Sequence, residues 1–221
     1  MTSHLPASSA LSPLTTLSGP AAALSLPHVD TDQIMPKQFL KGIDRKGLSQ
    51  GFLHDMRFNA AGQIRAEFVL NQTPWTEAQF LITGPNFGCG SSREHAVWGM
   101  QQLGIRCVIG ASFGGIFSDN CLRNGVLALV LPEADVARLM RLAQDPLLCH
   151  MQLDLPTQCL YTSGDGQRLR FELDPLHKEM LLHGLDAVGM SLTHAQDIRE
   201  FETRYHAAYP WAAPRQNHTT R

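Results

Sequence analysis

Asn86-Phe87-Gly88-Cys89-Gly90-Ser91-Ser92-Arg93-Glu94-His95 is the stretch whose reading decides the fold. The apolar run Phe80-Leu81-Ile82 leads into it, and the helical pattern of Ala96-Val97-Trp98-Gly99-Met100 leads out of it to Leu103. Gly104 and a second apolar run, Ile105-Arg106-Cys107-Val108-Ile109, follow. Strand, glycine-rich turn, helix and strand make one βαβ unit. Gly88 and Gly90 allow positive φ and a close approach to a bound group. Ser91 or Ser92 is placed to cap the helix. The free N–H groups and the positive end of the helix dipole there suit an anion. Arg93 adds a planar fork that matches a carboxylate or a phosphate.

Three chemistries compete for this loop. A dinucleotide site wants G-x-G-x-x-G, and Arg93 stands where the third glycine belongs; no acidic residue follows Ile109 either. A phosphate loop wants Gly-Lys-Ser/Thr, and the lysine is missing. The third is a carboxylate site with a serine beside it. A plain tight turn before a capped helix is the ordinary reading of a glycine pair, but the full run is too particular for it.

Working outward, the 221 residues are 43% hydrophobic and 17% charged, with a net charge of −2. That suits one globular domain with a sizeable core. No basic block is present, which argues against nucleic acid as the main partner. No apolar run approaches the ~18 residues of a membrane span. Five cysteines, at 89, 107, 121, 149 and 159, form no C-x-x-C pair and match no iron–sulfur ligand spacing. Their odd number, and the place of Cys107 inside an apolar run, fit a reduced, cytoplasmic setting.

Residues 1–14 lack Lys and Arg, resemble neither a secretory nor a mitochondrial leader, and read as a disordered tail. Residues 21–26 read as the first strand. Asp30-Thr31-Asp32 puts two carboxylates and a hydroxyl on a turn, either as a helix-capping turn or as part of a site. Residues 48–63 read as irregular, and 64–68 alternate like a strand with one wet face. A short helix over 117–123 is stopped by Gly125. Residues 126–131 read as a strand buried on both faces, and Pro132 starts a helix with Val136, Leu139, Met140 and Ala143 on one stripe. Alternation at Met151, Leu153 and Leu155 and at Leu169, Phe171 and Leu173 predicts a hairpin turning at residues 163–166. Asp174-Pro175 opens a helix that Gly184 closes. Thr193-His194-Ala195-Gln196 fits a capping box before a last helix carrying Ile198, Phe201 and Tyr205. Residues 208–221 read as a flexible tail. The whole is a single α/β domain over 15–207, with a mostly parallel central sheet and a C-terminal hairpin.

The run from Asn86 to His95 with Trp98, the run His28-Val29-Asp30-Thr31-Asp32-Gln33-Ile34-Met35-Pro36-Lys37-Gln38-Phe39-Leu40, and Ala111-Ser112-Phe113 with Ile116, Phe117 and Asn120 together resemble the small subunits of 3-isopropylmalate dehydratases. A weaker match is His183-Gly184-Leu185-Asp186, with Gly189 and Leu192. These small subunits are the counterparts of the swivelling C-terminal domain of aconitase. The likeness spans about residues 15–207 and implies the β/β/α swivelling-domain fold. Val97, where proline is common, and Met35, where a branched residue is common, depart from the pattern harmlessly.

The resemblance implies a hydro-lyase interconverting 2- and 3-isopropylmalate in leucine biosynthesis. It assigns Ser91 as the base that takes the carbon-bound proton and places Asp32 in the active site. It gives Arg93 a substrate carboxylate, with Ser92, Gly90 and Thr31 as binding neighbours. Residues 37–47 correspond to the substrate-selecting loop, in which Lys37, Phe39, Leu40 and Lys41 are the candidate contacts. His95 either orients Ser91 from one helical turn away or is a packed helix histidine. No cofactor is expected in this chain. A [4Fe–4S] cluster is expected in a separate large subunit, with the two chains forming a heterodimer or heterotetramer. Related substrates, namely methylmalate or citraconate, dimethylmalate and homoaconitate, share the chemistry. A nucleotide-binding βαβ module and a non-catalytic regulator are the readings from other classes.

Overall fold

The computed structural model describes residues 11–40, 47–90 and 93–213. In chain order its strands and helices are β1 (Thr16–Leu24), α1 (Thr31–Ile34), α2 (His54–Arg57), β2 (Phe80–Thr83), α3 (Glu94–Gln102), β3 (Cys107–Gly110), α4 (Gly115–Arg123), β4 (Leu127–Val130), α5 (Glu133–Ala143), β5 (His150–Asp154), β6 (Cys159–Thr162), β7 (Arg168–Arg170), α6 (Pro175–His183), α7 (Ala187–Thr193) and α8 (Ala195–Ala208). The chain divides into two compact units, Ala10–Asp186 and a second that includes Ala187–Arg221. The sequence pattern suggested one domain through residue 207, whereas the division falls after Asp186.

The first unit is built on a seven-stranded sheet in the order β4-β3-β2-β1-β5-β6-β7. Strands β4, β3, β2 and β1 run parallel, and β5, β6 and β7 form an antiparallel meander on the far side of β1. Strand β1 joins the two halves. Its residues 16–20 pair with β5, and its residues 21–24 pair with β2 on the opposite edge. Pro20, which has no N–H to give, stands at the changeover. Strand β1 starts earlier than the expected 21–26, because Gly19 and Pro20 interrupt the strand pattern in the sequence but not the strand. Packing begins before β1: Leu14, placed by its sequence in a disordered tail, is 2% exposed and its N–H donates to the Leu181 carbonyl at 2.8 Å.

Alternation along the strands sorts the core. Phe80, Ile82, Cys107, Ile109, Leu127 and Leu129 point to the face covered by α5, through Val136 and Leu139. Leu81 and Val108 point to the other face, where Val29, Ile34, Met35, Phe52, Phe87, Met100 and Phe117 gather. That second face carries the candidate site. Within α3, Ala96, Val97 and Met100 recur at helical spacing and are buried. Gly99 lets the helix approach closely, because a Cβ there would strike the Met35 side chain and the Leu48 carbonyl.

Several local expectations change. Residues 64–68 form no strand. Ile64 makes one bridge with Phe58, and the Arg65 N–H donates to the Arg57 carbonyl at 2.9 Å, so the backbone is satisfied by turns. Strand β4 is an edge strand, and Val130 is 58% exposed instead of buried on both faces. The expected C-terminal hairpin contains an extra strand, β6, which pairs with both β5 and β7. Its turn is pinned to α5 by an ion pair between Arg138 and Asp165. Burial works to raise the Asp165 carboxyl, but hydrogen bonds from Thr162, Arg138 and Gln167 outweigh it and hold the group below the usual range.

In the second unit no side chain of α7 or α8 is buried. The expected capping box is absent. Thr193 ends α7 and its hydroxyl donates to the Met190 carbonyl, while His194 occupies the cap of α8 without a side-chain bond. Phe201, Tyr205 and Tyr209 form a ladder of ring contacts along one side of α8. Among the described residues no helix is long and apolar enough to cross a membrane.

Candidate active site

The site lies where three parallel strands end. Ligands in open α/β sheets bind beyond the carboxyl ends of their strands. Strands β1, β2 and β3 are neighbours, and the segments leaving them remain paired. After β1, the His28 N–H donates to the Pro85 carbonyl at 2.9 Å and the Thr31 N–H to the Cys89 carbonyl at 2.9 Å. In return, the Gly88 N–H donates to the Val29 carbonyl at 2.8 Å. After β3, the Gly114 N–H donates to the Phe87 carbonyl at 2.9 Å, and the Ser112 hydroxyl accepts from the Asn86 N–H. The three motifs singled out in the sequence thus become adjacent walls of one place.

Side chains lock this junction. Asn86 and His28 both sit at positive φ, at 57° and 54°, and their side chains meet at 3.0 Å between Asn86 Nδ2 and His28 Nδ1. Non-glycine residues at positive φ are uncommon and tend to mark functional sites. The Cys89 thiol donates to the His28 carbonyl at 3.6 Å, so it closes the turn. Gly88, at φ +74°, is required twice over: a Cβ there would also collide with the Phe117 ring. Gly114 has an ordinary φ but no room, since its Cβ would land on the Gly88 carbonyl oxygen.

That gives a stability test. Gly114→Ala should destabilise the protein by about 1–3 kcal/mol, the usual range for overpacking a tight contact. At about 2–4 °C per kcal/mol for a chain of this size, thermal melts will show it. Gly115→Ala is the control, because a Cβ at Gly115 meets nothing within 4 Å. Equal melting temperatures for the two variants would mean that the 86–90 and 112–114 segments are not packed as described.

The structure separates the two aspartates of the Asp30–Asp32 motif. Asp30 caps α1: its carboxylate accepts from the Gln33 N–H at 2.8 Å, and the Gln33 side chain accepts from the Asp30 N–H at 3.0 Å. Asp32, within α1, pairs with Arg93. The capping reading therefore applies to Asp30, while Asp32 is left to pair with Arg93. Arg93 is the residue before α3, and its side chain is 20% exposed against 49% for Asp32. The helix cap expected of Ser91 or Ser92 is taken by Arg93, with no side-chain bond. Ser91, Ser92 and Lys41 lie outside the described residues.

Beside Arg93 is a cavity of about 270 Å³ lined by Leu40, Arg93, Glu94, His95 and Trp98. Of the candidate loop contacts, Leu40 reaches this cavity. Phe39 is turned inward, its ring 4.7 Å from His54, and Lys37 is exposed to solvent. Thr31 is 3% exposed, with its hydroxyl 3.5 Å from where a Gly90 Cβ would be, so it buttresses the turn. His95 lies in the first turn of α3, which begins at Glu94, and its expected relation to Ser91 falls outside the described residues. Its ring packs on Trp98, 4.7 Å between centroids. Sequence reasoning missed Trp98 as a lining residue. The signal available was its i, i+3 relation to His95, which puts both on one helix face.

Cys107 and Cys121 are wholly buried, and burial pushes the Cys107 thiol well above its ordinary value, as burial together with the neighbouring Cys107 does for Cys121. Among the described residues no three His, Cys, Asp or Glu side chains converge as a metal set.

Comparison with known families matches residues 11–134 to the aconitase C-terminal domain, and residues 188–215 to the C-terminal domain of the 3-isopropylmalate dehydratase small subunit. The 3-isopropylmalate dehydratase small subunit 1 of Mannheimia succiniciproducens is 51% identical over 197 residues, covering 89% of this chain and 96% of its own. Small subunit 2 of Salmonella typhimurium is 46% identical over 203 residues, covering 90% and 97%. Among solved structures, 3-isopropylmalate dehydratase (leuD) from Methanocaldococcus jannaschii superposes with a TM-score of 0.58 at 26% identity, covering 85% of this chain and 99% of its own.

Proposed function

The chain belongs to the aconitase C-terminal domain family, among the small subunits of 3-isopropylmalate dehydratase, and from that membership we propose how its residues serve the reaction. As such a small subunit it is part of a hydro-lyase of leucine biosynthesis and works with a large subunit. The substrate is 2- or 3-isopropylmalate, interconverted by loss and return of water. Arg93 carries the reading: a guanidinium held by Asp32 at the strand ends, next to a cavity that Leu40 and Trp98 line on one part and Glu94 and His95 on another. An incoming carboxylate takes the open side of the fork, while Asp32 keeps the arginine aimed. Ser91 removes the carbon-bound proton, its alkoxide favoured by helix-end N–H groups and by Arg93. Loss of a hydroxyl calls for a Lewis acid, and among the described residues no set of donors converges to hold one. The [4Fe–4S] cluster that supplies this chemistry in the family belongs to the partner large subunit, so this chain contributes half of a shared site.

The purified chain alone should contain no stoichiometric iron or sulfide and should show no dehydratase activity. Mixing with a cluster-loaded large subunit should produce activity on 3-isopropylmalate. Iron analysis and absorbance read the first point, and conversion assays the second. A stoichiometric cluster in this chain by itself would overturn the shared-site arrangement.

A further inference from the structure

We propose that Trp98, held in place by Asn124, is the residue that recognises the branched alkyl group of the substrate; this rests on the isopropylmalate reading above. The cavity beside Arg93 has a cation at one side and Leu40 with the Trp98 indole as its apolar surface. Its volume is about 270 Å³.

The indole is fixed by α4. Trp98 Nε1 donates to Asn124 Oδ1 at 2.8 Å, and the Asn124 amide donates to the Asn120 carbonyl at 2.9 Å. Asn124 is 6% exposed at the end of α4, and its own carbonyl accepts from the Gln101 side chain. Two helices thus set the plane of one ring, and the His95 ring supports it at 4.7 Å. A rigid aromatic wall loses little freedom on binding, so its contact area counts toward selection. An isopropyl group covers that wall. A methyl group leaves part of it bare. A third carboxylate in the same place would be desolvated against the indole and Leu40, and would face the like charge of Glu94. The same wall that accepts the alkyl group therefore rejects a more acidic substrate.

The test uses the complete enzyme, with the large subunit and its cluster, on 3-isopropylmalate and 3-methylmalate. The reading is the ratio of their kcat/KM values. Trp98→Ala should lower that ratio about tenfold or more, as expected for losing alkyl contacts in an apolar pocket. Asn124→Ala, which leaves the ring present but unheld, should lower it less. If Trp98→Ala does not assemble with its partner, Trp98→Phe carries the test, with a smaller fall expected. An unchanged ratio in an assembled Trp98 variant, with both rates reduced alike, makes Trp98 merely structural and overturns the assignment. A wild-type enzyme that prefers 3-methylmalate overturns the substrate reading, and this assignment with it.

Discussion

Ser91→Ala, reconstituted with its partner and an intact cluster, should lose about 10²–10⁴ in kcat, the usual cost of removing a general base. Substrate affinity should change little. A hydroxyl that acts as a base contributes mainly in the transition state, so its loss appears in kcat and in kcat/KM together. The residues on either side bear on this. Gly90 sits against Asp30 and Thr31, and Arg93 opens α3 in its ion pair with Asp32. The variant should bind the large subunit normally, which co-elution checks. Turnover near the wild-type rate would move the base elsewhere. His95 is then a poor substitute, since its ring is engaged with Trp98; a residue of the large partner becomes the next candidate.

Arg93→Lys should raise KM and lower kcat at once. Lysine keeps the charge and loses the planar fork. Hydrogen bonds to charged groups contribute about 1.5–3 kcal/mol, so kcat/KM should fall about 10–100-fold. The companion variant Asp32→Asn separates aiming from gripping. Asp32 is half exposed, and such ion pairs contribute only about 0–1 kcal/mol to stability. Its loss should leave the melting temperature nearly unchanged and raise KM, because the arginine is no longer held toward the substrate. If Asp32→Asn instead lowers kcat alone, Asp32 is acting on the reacting atoms and not through Arg93.

The βαβ unit was legible because its signals agree: two wholly buried runs, a turn that only glycine tolerates, and a helix with a clean apolar stripe. The approximate extents of α5 and α6 were legible for the same reason, with Pro132 and Asp174 at their starts and Gly184 at the end of α6. Where the reading failed, a residue was answering to a distant partner. Gly19 and Pro20 look like breakers until β5 is seen beside them. Cys159–Thr162 has no pattern of its own and is a strand because β5 and β7 flank it. Residues 64–68 have the alternation but no neighbour to pair with. In the site, motif residues could be named from sequence, but not what they touch. Nothing in Asp30-Thr31-Asp32 says which aspartate caps and which faces Arg93. Nothing near Trp98 in the chain points to Asn124, which comes from another helix.

Of the seven strands, β1 leaves the ribosome first and waits longest for a partner. Its residues 16–20 have no ladder partner until β5 exists, and its residues 21–24 none until β2 exists. At about 5–20 residues per second of synthesis, the wait for β5 is on the order of 10 s. Throughout it, one border of the sheet stays open, and an open border is a template for another chain.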